Sequence, residues 1–204
     1  TVYISNIAAG TASDTAGNTA PAMTIATTAC TVDNTAPTIS VTAGPTPAVI
    51  GGATTTTYRV TYVDTHLSAI TLGAGDVTLA TTGTVTGATV TAVNVVSATE
   101  RDVVVSTTGG DGTVYISNIA AGTASDTAGN TAPAMTTATT ACTVDNTAPT
   151  VTIGAPSASA ANGTATVTYT LTYSESVTSS LDAGDITVTN GGTATSAVLS
   201  ITNV

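Results

Sequence analysis

The sequence predicts an all-β fold arranged as tandem sandwich domains, and three observations carry that expectation. Its apolar residues make up 42% of the 204 and are mostly small or β-branched, with no Phe, no Trp and six Tyr, a set that suits pleated strands. No long apolar pattern with a period near 3.6 runs through it, while Thr, Val and Gly, all weak helix formers, dominate. Residues 1–38 recur as residues 113–150, the single difference being Ile25 against Thr137. A weaker match aligns YRVTYVD (58–64) with YTLTYSE (169–175), and GAGDVTL (73–79) with DAGDITV (182–188). The period, roughly 110 residues, is the size of one small β-sandwich.

The segment VDNTAPT, at 32–38 and 144–150, follows an alternating strand. Its Pro cannot donate to a ladder and holds the preceding residue extended, so it reads as a linker. That cut makes residues 1–34 the C-terminal part of one immunoglobulin-like domain, 35–146 a complete domain and 147–204 the N-terminal half of a further one. Within the complete domain, strands are expected near 38–43, 54–63, 77–81, 88–96, 101–107, 113–119 and 136–144, separated by turn clusters such as GPTP, GAGD and GGDG. About seven short strands at this spacing argue for a Greek-key sandwich of immunoglobulin type, with a closed barrel as the alternative. In the last strand, alternation puts Thr140, Cys142 and Val144 on one face and turns Thr137, like its counterpart Ile25, outward. Tyr58 and Tyr62 share a strand face, as do Tyr169 and Tyr173, and packing in the core is the expected role of both pairs.

Charge and motif content narrow the function. Arg59 and Arg101 are the only Lys or Arg residues against twelve acids, giving a net charge of −10 and a pI near 4.1. Phosphate binding needs a basic face, so the balance argues against nucleic acid and against anionic membrane surfaces. No run of about 18 apolar residues is present to span a membrane. An enzyme is not expected. His66 is the only imidazole and aligns with Val177 in the next repeat, no Ser sits in a GxSxG frame, and GGDG at 109–112 lacks the Lys of a phosphate loop and reads as a hairpin turn. Cys30 and Cys142 are equivalent positions one domain apart, too far for a disulfide in an extended array, and each is expected to be buried as a small hydrophobe.

The stretch SDTAGNTAP occurs at 13–21 and again at 125–133. In a seven-stranded sandwich the linker before the first strand and the loops after the second and sixth strands meet at one pole. In the complete domain that pole would gather Asp33 and Asn34, Asp64, and Asp126 and Asn130. Carboxylates held together repel unless a cation neutralises them, and oxygen ligands of this kind suit Ca²⁺, which takes about six to eight of them. The same frame assigns Asp145, Asn146 and Glu175 to the following domain, and Asp14 and Asn18 to the preceding one. The competing reading makes Asp126 and Asn130 turn residues that cap their own backbone.

The order of these pieces, VD or SE after an apolar strand, then AGDITV, a DTAGN loop and a closing TVDNTAPT, resembles the tandem bacterial immunoglobulin-like (Big-type) domains of large surface adhesins and other secreted repeat proteins. The resemblance extends over the whole chain and implies extracellular structural repeats, often calcium-dependent. The expected function is therefore a structural repeat unit of an extracellular surface protein or filament with calcium-stiffened junctions. Its partners would be adjacent domains or adjacent copies of the same protein. The alternative is a binding module that recognises a glycan or protein through exposed loops. The two end fragments are complementary, so the chain reads either as a section of a long array or as a unit whose half-domains neighbouring copies complete in an open filament.

Overall fold

Period-two alternation over residues 55–63 builds the centre of the fold. Thr56, Tyr58, Val60 and Tyr62 turn inward and are buried, while Thr57, Arg59 and Thr61 between them stay partly exposed. The computed structural model describes residues 1–52, 54–159, 161–163, 165–193 and 199–202. The described residues contain strands and two single-turn 3-10 helices. The chain divides into two units, Thr1–Thr147 and Ala148–Val204. Among the described residues, no helix is long and apolar enough to cross a membrane.

In the first unit the strands are β1 (Thr38–Thr46), β2 (Val49–Ile50), β3 (Thr55–Val63), β4 (Leu67–Ile70), β5 (Val77–Gly83), β6 (Thr89–Val95), β7 (Glu100–Ser106), β8 (Gly112–Ile119), β9 (Ala124–Asp126) and β10 (Cys142–Val144). One four-stranded sheet has the order β1-β3-β7-β6 and is antiparallel throughout. The other has the order β2-β10-β8-β5, in which only the β2–β10 pair is parallel. A short pair, β4–β9, stands apart. The two larger sheets enclose one core, as in a β-sandwich. Tyr58, Val60, Tyr62, Val103 and Val105 come from the first sheet; Ile50, Val114, Ile116, Ile119, Cys142 and Val144 come from the second. Both buried tyrosines find partners for their hydroxyls. Tyr58 Oη donates to the Val114 carbonyl at 3.0 Å and Tyr62 Oη to Thr123 Oγ1 at 2.9 Å. Burial pushes the Tyr58 pKa up to about 12. On the outer surface Arg59 meets Asp102, its ladder neighbour, through two bonds of 2.9 and 3.0 Å. A pair this exposed contributes little to stability, because water screens it.

Several sequence expectations need correction. The strand expected over 136–144 is confined to Cys142–Val144; Cys142 and Val144 are buried but Thr140 is exposed. Before Cys142 the chain leaves the ladder and is tied down at isolated points: Thr139 N–H donates to the Ile116 carbonyl at 3.0 Å and Thr139 Oγ1 accepts the Ile116 N–H at 3.1 Å. Thr137 and Ile25 are exposed. GGDG is not a hairpin turn, because β7 and β8, which it joins, belong to different sheets. Cys142 is buried but Cys30 is exposed, and both are free thiols. The short β2, β4 and β9 were not foreseen. In β8 a bulge leaves Ser117 without a ladder partner. The extra residue shifts the inward face from Val114 and Ile116 to Ile119, which strict alternation would have turned outward.

Residues 1–34 hold only isolated bridges, among them Val2 to Cys30, the counterpart of Val114 to Cys142. Val2, Ile4 and Ile7 are exposed there, although Val114, Ile116 and Ile119 in the identical segment are buried.

The second unit contains β11 (Val151–Ile153) paired antiparallel with β12 (Leu171–Tyr173). Its 3-10 turn Ala183–Asp185 matches Ala74–Asp76 of the first unit: Asp185 accepts the Asp182 N–H at 2.9 Å, as Asp76 accepts that of Gly73 at 2.8 Å. Tyr169 is exposed and Tyr173 half-buried, unlike the buried Tyr58 and Tyr62 with which they align.

Candidate functional site

The two copies of DTAGN settle into the same local structure. Asp126 Oδ1 accepts the backbone N–H of Ala128 at 2.9 Å and of Asn130 at 2.8 Å, and Asp126 Oδ2 accepts the Asn130 side-chain amide at 2.7 Å. Asp14 repeats this set, from Ala16 N–H at 2.9 Å, Asn18 N–H at 2.9 Å and the Asn18 amide at 2.8 Å. Asp14 and Asn18 are exposed, whereas Asp126 is buried, yet the loop is the same. The spacing of four therefore makes a self-contained clamp, with Gly129 at φ +93° allowing the reversal.

Burial works to raise the Asp126 pKa, but the Asn130 side chain and the loop N–H groups outweigh it, and the net shift is downward. Asp14 is likewise held low, first by the Asn18 side chain. A lowered folded-state pKa contributes stability above the ordinary Asp value of about 3.9, and that contribution is lost as pH falls through the folded value. Urea unfolding of the chain should accordingly show a midpoint that is level near neutrality and drops below about pH 4. Asp126→Asn should flatten part of that drop.

The DTAGN loop is also tied to the incoming linker. The Asn130 amide donates to the Asp33 carbonyl at 3.0 Å and, more weakly, to that of Thr35 at 3.4 Å. Thr127 N–H donates to the His66 carbonyl at 3.0 Å, which draws in the loop after β3. His66 Nδ1 lies 2.7 Å from Asp33 Oδ2, and Asp64 Oδ1 accepts the His66 N–H at 2.6 Å. Asp33, Asp64 and His66 consequently each place a ligand atom within 4.8 Å of the others. Asp33 and Asp64 are partly buried and His66 is exposed. Asn34 is exposed beside them.

As a cation cradle this set is partial. Two carboxylates and an imidazole fall short of the oxygen shell that Ca²⁺ takes, and backbone carbonyls or water would have to supply the remainder. The Asp126 oxygens already accept three loop hydrogen bonds. His66, discounted at the sequence level because its counterpart is Val177, is the residue that faces Asp33. Nothing in the local sequence around His66 signals that meeting, which joins positions 33 residues apart.

A second polar cluster lies at the other end of β3, in the same unit. Register places Thr55 opposite Ser106 and Thr61 opposite Glu100, so the turn after β7 and the loop after β3 lie at opposite ends of β3. In the β7–β8 turn, Asp111 Oδ1 accepts the Asn146 N–H and Asp111 Oδ2 the Thr147 hydroxyl, both at 2.6 Å. The Asn146 amide donates to the Gly110 carbonyl at 2.5 Å, and Asn146 Oδ1 accepts the Gly52 N–H at 2.6 Å. The Thr147 hydroxyl foremost, and then the Asn146 N–H, hold the Asp111 carboxyl below the usual range. Asp145 Oδ1 accepts the Thr147 N–H at 3.0 Å. Asn146, expected as a ligand of the following domain, is thus bound within the first unit, to Asp111, Gly110 and Gly52. Glu175 is exposed just beyond β12 in the second unit. No family model matches the chain, and no curated protein or solved structure does either.

Proposed function

We propose that this protein is a structural repeat unit of an extracellular surface array, in which immunoglobulin-like sandwiches are strung end to end by the VDNTAPT linker. The observation that carries this reading is that one domain holds the incoming linker at one end, through Asn130 and His66, and the outgoing linker at the other, through Asp111. Such a domain passes load along its length. The strand order β1-β3-β7-β6 over β2-β10-β8-β5 supports an immunoglobulin-like Greek key. The near-identical repeat suits a chain whose neighbours are other copies or domains of the same kind.

Electron micrographs of the native particle test the array directly. An elongated, beaded particle is the expected result, and a compact isolated globule overturns the reading. Mass after denaturation separates the two ways of building such an array: about 20 kDa for a short chain that polymerises, far more for a section of a long one.

Calcium enters as a stiffener of the incoming junction through the carboxylates of Asp33 and Asp64. His66 occupies the Asp33 oxygen that an ion would use, so ion binding and the His66 contact compete. Millimolar Ca²⁺ should then raise the unfolding temperature and EDTA should reverse the rise. An unchanged unfolding temperature removes calcium from the proposal and leaves the His66–Asp33 contact to close the junction alone.

A further inference from the structure

The linker is present twice with one sequence, as Asp33-Asn34-Thr35 and as Asp145-Asn146-Thr147. Both copies form the same turn, the Thr N–H donating to the Asp Oδ1 at 2.9 and 3.0 Å. Their outside contacts differ. The second copy is held by the domain before it, through the Asp145 N–H, which donates to the Ile50 carbonyl, the Asn146 N–H, the Asn146 side-chain amide and carbonyl, and the Thr147 hydroxyl. The first is held by the domain after it, through Asp33 Oδ2, the Asp33 carbonyl and, weakly, the Thr35 carbonyl. These two sets of atoms do not overlap. In the first copy, the Asn34 N–H, the Asn34 side chain and the Thr35 hydroxyl have no hydrogen bond among the described residues, and both residues are exposed.

We infer that Asn34 and Thr35 form a docking site for a Gly-Gly-Asp turn of a preceding repeat, so that this linker is gripped from both sides at once. The inference rests on the array reading above and deepens it. The occupant is identified by chemistry shown in the second copy. One carboxylate takes the Asn N–H and the Thr hydroxyl, one glycine carbonyl takes the Asn amide, and the turn runs directly into the strand that begins TVYIS. The surroundings of the site are already in register, because Val2 pairs with Cys30 as Val114 pairs with Cys142. A carboxylate two residues ahead of Thr1 would stand to Asn34 as Asp111 stands to Asn146. A junction held this way has little freedom to swivel, since upstream and downstream contacts share only a few bonds of backbone.

The test is amide hydrogen exchange on three forms of the full chain: as it is, with Gly-Gly-Asp-Gly added ahead of Thr1, and with Gly-Gly-Ala-Gly added instead. The Asp-bearing extension should slow exchange at Asn34 by at least about tenfold, as expected for a hydrogen bond to a charged acceptor. The Ala-bearing extension should leave it unchanged. The His66 ring signals should stay in place in all three forms, because the downstream contacts use other atoms. Asp111→Ala serves as the reference, speeding exchange at Asn146 towards the rate of Asn34 in the unextended chain. Equal Asn34 exchange in all three forms overturns the inference, as does equal slowing by both extensions or displacement of His66. The array reading stands or falls separately, on the elongated particle.

Discussion

Ile116→Ala should destabilise the first unit by about 2–5 kcal/mol, whereas Ile4→Ala, the same change in the same local sequence, should stay within about 0.5 kcal/mol. Ile116 is fully buried between the two sheets, with Tyr58, Val103 and Val105 in the same core, and Ile4 is 54% exposed. Truncating Ile116 removes apolar area from a packed core and leaves a cavity that β8, hydrogen-bonded on both sides, cannot collapse to fill. Truncating Ile4 removes a side chain that water already reaches. Urea unfolding followed by circular dichroism measures both. Equal effects at the two positions would mean that the first copy is as buried in solution as the second.

Gly110→Ala should cost more than about 2 kcal/mol, and Gly122→Ala only about 1–2 kcal/mol. Both glycines have left-handed backbones, at φ +77° and +82°. Each substitution therefore incurs the penalty of a Cβ in that region. At Gly122 an added methyl meets nothing within 4 Å. At Gly110 it would run into the backbone of Thr84 and Val85. That backbone cannot step aside cheaply, because Thr84 N–H donates to the Asp111 carbonyl at 2.8 Å and Asp111 N–H to Thr84 Oγ1 at 2.9 Å. Gly110→Ala should also loosen the outgoing linker, whose Asn146 amide rests on the Gly110 carbonyl. Thermal unfolding reads the first effect and amide exchange at Asn146 the second. Matching losses at both glycines would show that the turn tolerates the methyl and that φ alone sets the cost.

The parts of the fold that were legible are those where one residue's neighbours in sequence decide its fate. Strand-forming runs at 54–63 and 101–107 marked two strands, and Tyr58 and Tyr62, expected to pack in the core, are buried there. The DTAGN loop was legible for the same reason. Asp126 and Asn130 are four apart and bond mainly to one another and to the backbone between them, and Asp14 and Asn18 do so without a sandwich around them. In both copies the short loop itself supplies hydrogen bonds to both oxygens of the Asp carboxylate. The short strands β2, β4 and β9 were not legible, because two to four residues carry too little pattern to separate from a turn. Nor was the bulge at Ser117, which appears only when β8 is laid against β5.

By itself, then, the order of residues determined that this chain makes strands, that a near-identical segment returns after roughly 110 residues, and that VDNTAPT closes both copies. These are local properties, governed by side-chain branching, alternation and backbone chemistry over a few positions. Tertiary structure alone decided that Ile116 is buried while the identical Ile4 is not, that His66 meets Asp33, and that Asp111 holds Asn146 and Thr147. Each of those outcomes depends on which distant strand or loop arrives beside a residue. The same sequence in two surroundings has two fates, because burial and pairing belong to the contact and not to the residue.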